Sequence, residues 1–372
     1  MSEKRIIPIV MPKWGLSMSE GKVTGWLVKD GAKINPGDQI LEVETDKIAG
    51  AVESTETGVL RRVIGQADTV YPVKALMGVL ADEDVPDADI DAFVSSYVVP
   101  AAEDGDADAG PKYEYADTPA GKLRYAKRGD GAETVLLIHG FGGDLDNWLF
   151  NIDALAENAT VYALDLPGHG QSSKSIPDPS VAGLAKAVIG FMYTVGIKKA
   201  HLVGHSLGGA TAIAVAKADK NRVKSLTLIS SAGLGSDINI DYISGFVGGQ
   251  SRKDMKPVLS ELFADPSLVS RDMIDNILKY KRLDGVSDAL TSLKDGVFTG
   301  GKQSANLADT LKSSGVPTLV IWGADDKIVP AGHAKAASGA TVEIIDGAGH
   351  MVQMEQASKV NALIKSGIAK AA

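Results

Sequence analysis

The sequence has no cysteine. That excludes disulfide bonds, thiolate metal sites and a cysteine nucleophile. No apolar stretch approaches the ~18 residues that a membrane-spanning helix needs. The opening residues, MSEKRIIPIVMPKWG, lack the apolar run of a signal peptide. A cytoplasmic protein without a membrane span is therefore expected. The six histidines are scattered, and only His201 and His205 lie as near each other as metal ligands do. Those two fall on a strand and on the turn after it, so no metal site is expected. A basic surplus is missing as well. Net charge is −9, and twelve acids with one base, Lys112, sit in residues 82–118, leaving the remainder slightly basic. The acidity belongs to one segment, and nucleic acid is a poor partner for it.

What is present is globular in composition, with 44% apolar and 23% charged residues. A length of 372 residues is too great for one ordinary core and suits two or three domains. Residues 1–81 hold short strands punctuated by glycine. Gly25-Trp26-Leu27, Gly31, Pro36 and Ile40-Leu41 are echoed by Gly58-Val59-Leu60, Gly65, Pro72 and Leu76-Met77. Two such halves predict a small flattened β-barrel with pseudo-twofold symmetry, because neither half could bury its apolar face alone. Residues 82–118 read as an acidic, flexible linker with a short helix over Asp89–Tyr97. The Ala/Asp/Gly-rich stretch from Val98 to Pro111 would span roughly 20 Å as a flexible chain.

From residue 119 to 372 the pattern changes. Apolar runs at Thr134–Ile138, Val161–Leu164, Ala200–Val203, Ser225–Ile229, Thr318–Trp322 and Thr341–Ile345 suit strands buried on both faces of a parallel sheet. Helical stretches such as Gly183–Val195 and Leu207–Ala218 alternate with them, which predicts an open α/β sheet. Residues 238–305 interrupt the alternation and read as a helical cap.

Between the two N-terminal halves lies Glu44-Thr45-Asp46-Lys47-Ile48-Ala49, where Leu41–Glu44 must turn back into Ala51–Ser54. A lysine at a tight turn offers its amine to solvent. Together with Met11-Pro12-Lys13-Trp14-Gly15, Gly31, Pro36-Gly37-Asp38 and Gly58, this turn resembles the lipoyl domains of 2-oxo-acid and acetoin dehydrogenase complexes. The match spans about residues 5–81. The resemblance implies that Lys47 carries lipoate in amide linkage, installed by a lipoylating enzyme. Biotin domains of the same fold usually present Met-Lys-Met, and the flanks here are Asp46 and Ile48.

Gly204-His205-Ser206-Leu207-Gly208 follows a predicted strand and opens a predicted helix, the setting a nucleophile elbow requires. The pattern resembles the α/β-hydrolases. A serine hydroxyl is a weak nucleophile and needs a base held by an acid. After Ser206 only His333 and His350 remain; His350 lies in a glycine-rich loop just past the last strand and is the candidate base. Asp325 and Asp326 are the candidate acids. The run Trp322 to Pro330 resembles the family loop Gly-x-x-Asp-x-x-x-Pro, which implies Asp326. Two backbone N–H groups must face the developing oxyanion. Leu207 is one candidate, and Phe141, in the loop His139–Gly143, is the other. His139 and His205 read as structural, as does the loop Leu164–Ser172. Trp148, Phe246 and Phe263 are candidates for pocket lining or plain packing.

A lipoyl arm carries acyl groups as thioesters, and a serine triad handles acyl transfer. None of the six histidines has an aspartate four residues later, so the usual His-x-x-x-Asp acyltransferase motif is missing. No subunit-binding segment is recognisable in the linker, and no phosphate-binding loop marks a coenzyme A site. The layout is similar to that of the E2 components of acetoin dehydrogenase complexes, which are dihydrolipoyllysine-residue acetyltransferases. That resemblance implies acetyl transfer from lipoyl-Lys47 to coenzyme A. It also implies a thiamine-diphosphate-dependent E1, a dihydrolipoyl dehydrogenase E3 and a homo-oligomer. Two other readings stay open: a hydrolase of esters, thioesters or carbon–carbon bonds, and a lipoyl carrier without catalysis.

Overall fold

The computed structural model describes residues 5–14, 18–45, 49–100 and 113–371. The chain divides into two compact units, within residues 1–111 and 112–372.

The first unit is all β with one helix. Its strands are β1 (Ile6–Val10), β2 (Glu20–Trp26), β3 (Lys33–Ile34), β4 (Gln39–Glu44), β5 (Ala49–Glu53), β6 (Gly58–Val63), β7 (Thr69–Pro72) and β8 (Leu76–Ala81). They form two four-stranded sheets, β1-β8-β6-β3 and β5-β4-β2-β7. Replacing each strand by the one four places on turns the first order into the second, so the repeat seen in the sequence is a repeat of structure. Between the sheets Met11, Val23, Ile34, Leu41, Leu60 and Met77 are buried in one cluster. The chain leaves β4 and re-enters β5 with Glu44 opposite Ala49. Lys47, in the connection between them, lies outside the described residues, as do Asp46 and Ile48.

The segment expected to be linker is not uniform. Helix α1 runs over Asp87–Ser96 and buries Ile90 against Val79, Ala81 and Val85. Arg61 and Arg62 of β6 pair with Asp87 and Asp91, each at 2.8 Å. Part of the acidity thus serves to dock α1, and the helix belongs to the first unit. At the other end, Tyr113–Thr118 is a strand, so the second unit begins before residue 119. Within that segment, residues 101–112 lie outside the described residues.

The second unit is built on an eight-stranded sheet in the order β18-β17-β14-β13-β11-β12-β10-β9. Its strands are β9 (Tyr113–Thr118), β10 (Gly121–Arg128), β11 (Glu133–Ile138), β12 (Ala159–Leu164), β13 (Ala200–His205), β14 (Val223–Ile229), β17 (Thr318–Gly323) and β18 (Thr341–Ile345). From β12 to β18 all neighbours are parallel, and β9–β10 is an antiparallel hairpin at one edge. Helices α2 (Ile152–Ala156), α3 (Val181–Thr194) and α4 (Leu207–Ala218) join the early strands, and α10 (Val352–Glu355) and α11 (Ala357–Ala371) end the chain. Between β14 and β17 come α5 (Ile240–Gly248), α6 (Arg252–Ser260), α7 (Arg271–Lys281), α8 (Val286–Val297), the small hairpin β15 (Phe298–Thr299) with β16 (Lys302–Gln303), and α9 (Ala308–Ser314). The strand order reverses at β11, which has β12 on one side and β13 on the other. Ligands of open α/β sheets bind beyond the strand carboxyl ends at such a reversal.

The packing of α1 yields a test. Ile90→Ala removes buried methyl groups and is expected to cost the first unit about 2–5 kcal/mol. Hydrogen exchange read by mass spectrometry should accelerate across residues 5–96 and stay unchanged across 113–371. Exchange that changes only within 87–96 would mean that α1 is not part of that core.

Candidate active site

Ser206 lies between β13 and α4 with φ +52° and ψ −118°, outside the ordinary regions for a residue with a side chain. Such a backbone costs on the order of 1–3 kcal/mol and persists only where surroundings impose it. Here they do. A Cβ on Gly208 would come 2.1 Å from the Ile138 carbonyl oxygen, and one on Gly204 would come 2.4 Å from the Gly208 carbonyl oxygen. Only glycine lets α4 start this close to β11. The Ser206 N–H donates to the Ile229 carbonyl at 2.9 Å, and its own carbonyl accepts from Gly209 and Ala232. Both ends of the turn are therefore pinned to β14 and the start of α4.

The candidate acid and the candidate base lie side by side. His350 Nδ1 lies 2.9 Å from Asp326 Oδ2. The same oxygen accepts Trp322 Nε1–H at 3.0 Å, while Oδ1 accepts the N–H groups of Ile328 and Val329 at 2.8 and 3.0 Å. Asp326 is thus a fully buried, fully bonded carboxylate, and its geometry fixes the His350 proton on Nδ1, leaving Nε2 as the acceptor. Asp325 is exposed and contributes a backbone N–H to Ala348 instead. His333 sits in a 3-10 turn with its ring against Gly235. His205, next to Ser206, donates from Nε2 to the His350 carbonyl at 2.9 Å, and the two rings are 4.7 Å apart. The elbow and the histidine loop are joined by that bond.

The loop after β11 approaches the elbow closely: a Cβ on Gly140 would be 3.0 Å from Ser206 Cβ. Its conformation is held by two neutral histidines. His139 donates from Nδ1 to the Gly140 carbonyl at 2.7 Å and accepts the Leu166 N–H on Nε2 at 3.0 Å. His169 accepts the Gly142 N–H on Nε2 at 3.1 Å and donates from Nδ1 to Pro167 at 3.1 Å. The Gly143 N–H turns back to Gly140. Among the described residues the N–H groups of Phe141 and Leu207 donate to nothing. Those are the two that the oxyanion argument needs free. The Phe141 ring packs edge-on against Phe246 and Phe298 of the cap, at 6.1 and 5.7 Å. Phe246, Phe263 and Trp148 are all fully buried and act as packing.

Asp165 was not expected to matter beyond its loop. It lies buried against Arg124 at 2.6 Å and also accepts the N–H groups of Leu145 and Gln171, each at 2.8 Å. It ties the loop after β12 to the one after β11. Glu355 was missed altogether. Burial pushes its carboxyl up to about 7, against the pull of N–H bonds from Ala264 and Gly349 and of His350. The only sequence signal was an acid five residues after the candidate base.

Burial also holds His139 below the ordinary histidine range, and holds His169 and His205 well below it, with a neighbouring histidine adding to the effect in the last two. A ring kept neutral in the fold binds its proton more readily when unfolded, so stability from these rings is complete above about pH 6.5 and is lost as pH falls below that. Glu355, with a raised value, works in the opposite direction. Three rings against one carboxyl leave a net loss of stability as pH falls through this range. Urea midpoints measured at pH 7, 6 and 5 should therefore fall steadily. A midpoint that holds level would show that the three histidines are not neutral staples.

The alpha/beta hydrolase fold model matches residues 133–357, and the model for biotin-requiring enzymes, which covers biotin and lipoyl domains, matches residues 7–79. The chain is 55% identical over 361 residues to the dihydrolipoyllysine-residue acetyltransferase component of the acetoin cleaving system of Cupriavidus necator, covering 97% of this chain and 96% of that one. It is 45% identical over 360 residues to the protein of the same name from Pseudomonas putida, covering 96% and 97%. Among solved structures, a meta-cleavage product hydrolase from Pseudomonas fluorescens superposes with a TM-score of 0.64 at 25% identity, over 70% of this chain and 98% of that one. That hydrolase matches one unit; the two acetoin relatives match both, and near-full coverage at such identity leaves no other architecture. The chain belongs to the E2 components of acetoin cleaving systems, a family that joins a lipoyl domain to an α/β-hydrolase domain.

Proposed function

We propose that this chain is the cytoplasmic dihydrolipoyllysine-residue acetyltransferase of an acetoin-cleaving dehydrogenase complex, moving acetyl from lipoyl-Lys47 to coenzyme A at Ser206, Asp326 and His350. The observation that carries this reading is the union, in one chain, of a lipoyl domain with a bonded Asp326–His350 pair beside a serine elbow. As an E2 component the protein works in a complex with other components. An E1 dependent on thiamine diphosphate would deliver the acetyl group, and a dihydrolipoyl dehydrogenase E3 would reoxidise the arm. A homo-oligomer is part of the same reading.

Lipoate on Lys47 would supply the thiol that bears acetyl as a thioester, the substrate of the Ser206 site. His350 Nε2 takes the Ser206 proton as the hydroxyl oxygen attacks the acetyl carbonyl. The Phe141 and Leu207 N–H groups hold the oxyanion, and Asp326 stabilises the imidazolium. His350 then returns its proton to the departing sulfur, leaving acetyl on Ser206. In the second half, His350 takes the proton of the coenzyme A thiol. The sulfur attacks the serine ester, and the proton goes back to Ser206 Oγ. Each half forms one acyl bond, breaks another and restores the base.

With acetyl-dihydrolipoamide and coenzyme A as substrates, Ser206→Ala is expected to lose acetyl-CoA formation by at least about 10³-fold. Equal formation by the two proteins rules out the serine as nucleophile. Lys47→Arg should remove the lipoyl adduct from the intact mass and stop transfer fed by E1, yet leave turnover of free acetyl-dihydrolipoamide intact. Release of free acetate at the same rate with and without coenzyme A would favour the hydrolase reading.

A further inference from the structure

Glu355 closes α10, five residues past His350, and the scheme above gives it no role. Its carboxylate is shared between two elements. Oε1 accepts the Gly349 N–H at 2.9 Å, and Oε2 accepts the Ala264 N–H, from the cap, at 2.8 Å. A third bond runs the same way, from the Met351 N–H to the Leu262 carbonyl at 3.1 Å. Gly349 lies so near this stretch that a Cβ on it would come 2.6 Å from the Ala264 nitrogen. The backbone on both sides of His350 is therefore fastened to one piece of the cap, Leu262–Ala264, while the ring is fastened to Asp326.

We propose that Glu355 is a positioning residue for acyl transfer, setting His350 by holding Gly349 and the cap residue Ala264 on one carboxylate. The inference rests on Ser206 and His350 being the transfer pair. A carboxylate can accept both N–H groups because both its oxygens are bare; an amide or a neutral acid keeps only one oxygen free of hydrogen. Charge matters as well. Leu262–Ala264 brings no titratable side chain, so the charged groups bearing on Glu355 are His350, which favours its ionised form, and Asp326, which opposes it. By the same attraction an ionised Glu355 favours the imidazolium through which His350 passes as base.

The test uses full-length Glu355→Gln and Glu355→Asp, with kcat, KM and the pH profile of acetyl transfer from acetyl-dihydrolipoamide to coenzyme A. The Gln variant offers an NH2 to one of two N–H donors, so kcat should fall on the order of 100-fold, the effect of a misplaced catalytic group, with KM little changed. The acid limb of its kcat profile should move to lower pH, since one ionisation is gone and the imidazolium has lost an anion. The Asp variant keeps the charge but is a methylene short, so kcat should fall while the limb stays in place. A wild-type kcat in the Gln variant overturns the proposal, and so does a lowered kcat with an unmoved limb. If the Gln variant does not fold, a wild-type kcat in the Asp variant overturns it. Ser206→Ala is assayed in parallel: its retaining full activity would sink the transfer pair itself, whereas an inactive Ser206→Ala beside a Gln variant that behaves as wild type would sink only the role of Glu355.

Discussion

The close approach of three backbones around Ser206 is the constraint on which the rest of this site depends. Gly208 against the Ile138 carbonyl brings the start of α4 onto the end of β11, and Gly140 brings the next loop onto Ser206 itself. Any side chain at these positions would push the elements apart. Once they are in place, the loop that carries Phe141 lies against the turn that precedes Leu207, although the two residues are 66 positions apart in sequence. The strained backbone of Ser206 is the local cost of this convergence. It is offset by bonds from both ends of the turn to β14 and α4.

The electrostatic design follows from burial. Three histidines stand around the elbow, and a charge on any of them would be buried away from water. Desolvation keeps His139, His169 and His205 neutral, and each then has one donor and one acceptor nitrogen. His139 and His169 use both nitrogens to fix the loop that carries Phe141. His205 uses one to hold the His350 backbone. The formal negative charge is concentrated elsewhere, on Asp326 under the base and on Asp165 against Arg124. Burial thus holds these three rings neutral while the buried carboxylates keep their bonded partners.

How much of this could be read beforehand depended on whether the signal was contiguous. The strands β11, β12, β13, β14 and β17 were legible because a strand buried on both faces is an unbroken apolar run; β18 was read the same way, but at the sheet edge most of its residues are exposed. The elbow was legible because strand, turn and helix occur in one short stretch. The hairpin β9–β10 was not, since YEYADT and GKLRYAKR alternate polar residues in the manner of a half-exposed edge, and the first of them sits in acidic sequence that reads as linker. Helix α1 was visible, but its attachment to β6 was hidden in two arginines 25 to 29 residues upstream. Asp165 and Glu355 act through backbone groups that are distant in sequence, Leu145 in one case and Ala264, 91 positions away, in the other. No local pattern announces such a partner. The cap was legible only as an interruption, without its contacts to Phe141.

The same limit governs the choice between transferase and hydrolase. Water and a thiol meet the same acyl-serine, the same oxyanion donors and the same base, so nothing in the triad tells them apart. A hydrolase of known structure accordingly superposes on 70% of this chain at 25% identity. What differs is which acceptor reaches the ester and what delivers the acyl group. Delivery belongs to the first unit, which matches the biotin and lipoyl domains. The cap touches the loop of Phe141, through Phe246 and Phe298, and the loop of His350, through Ala264 and the Glu355 carboxylate. The serine pattern therefore points to the class of reaction, and the lipoyl unit narrows it.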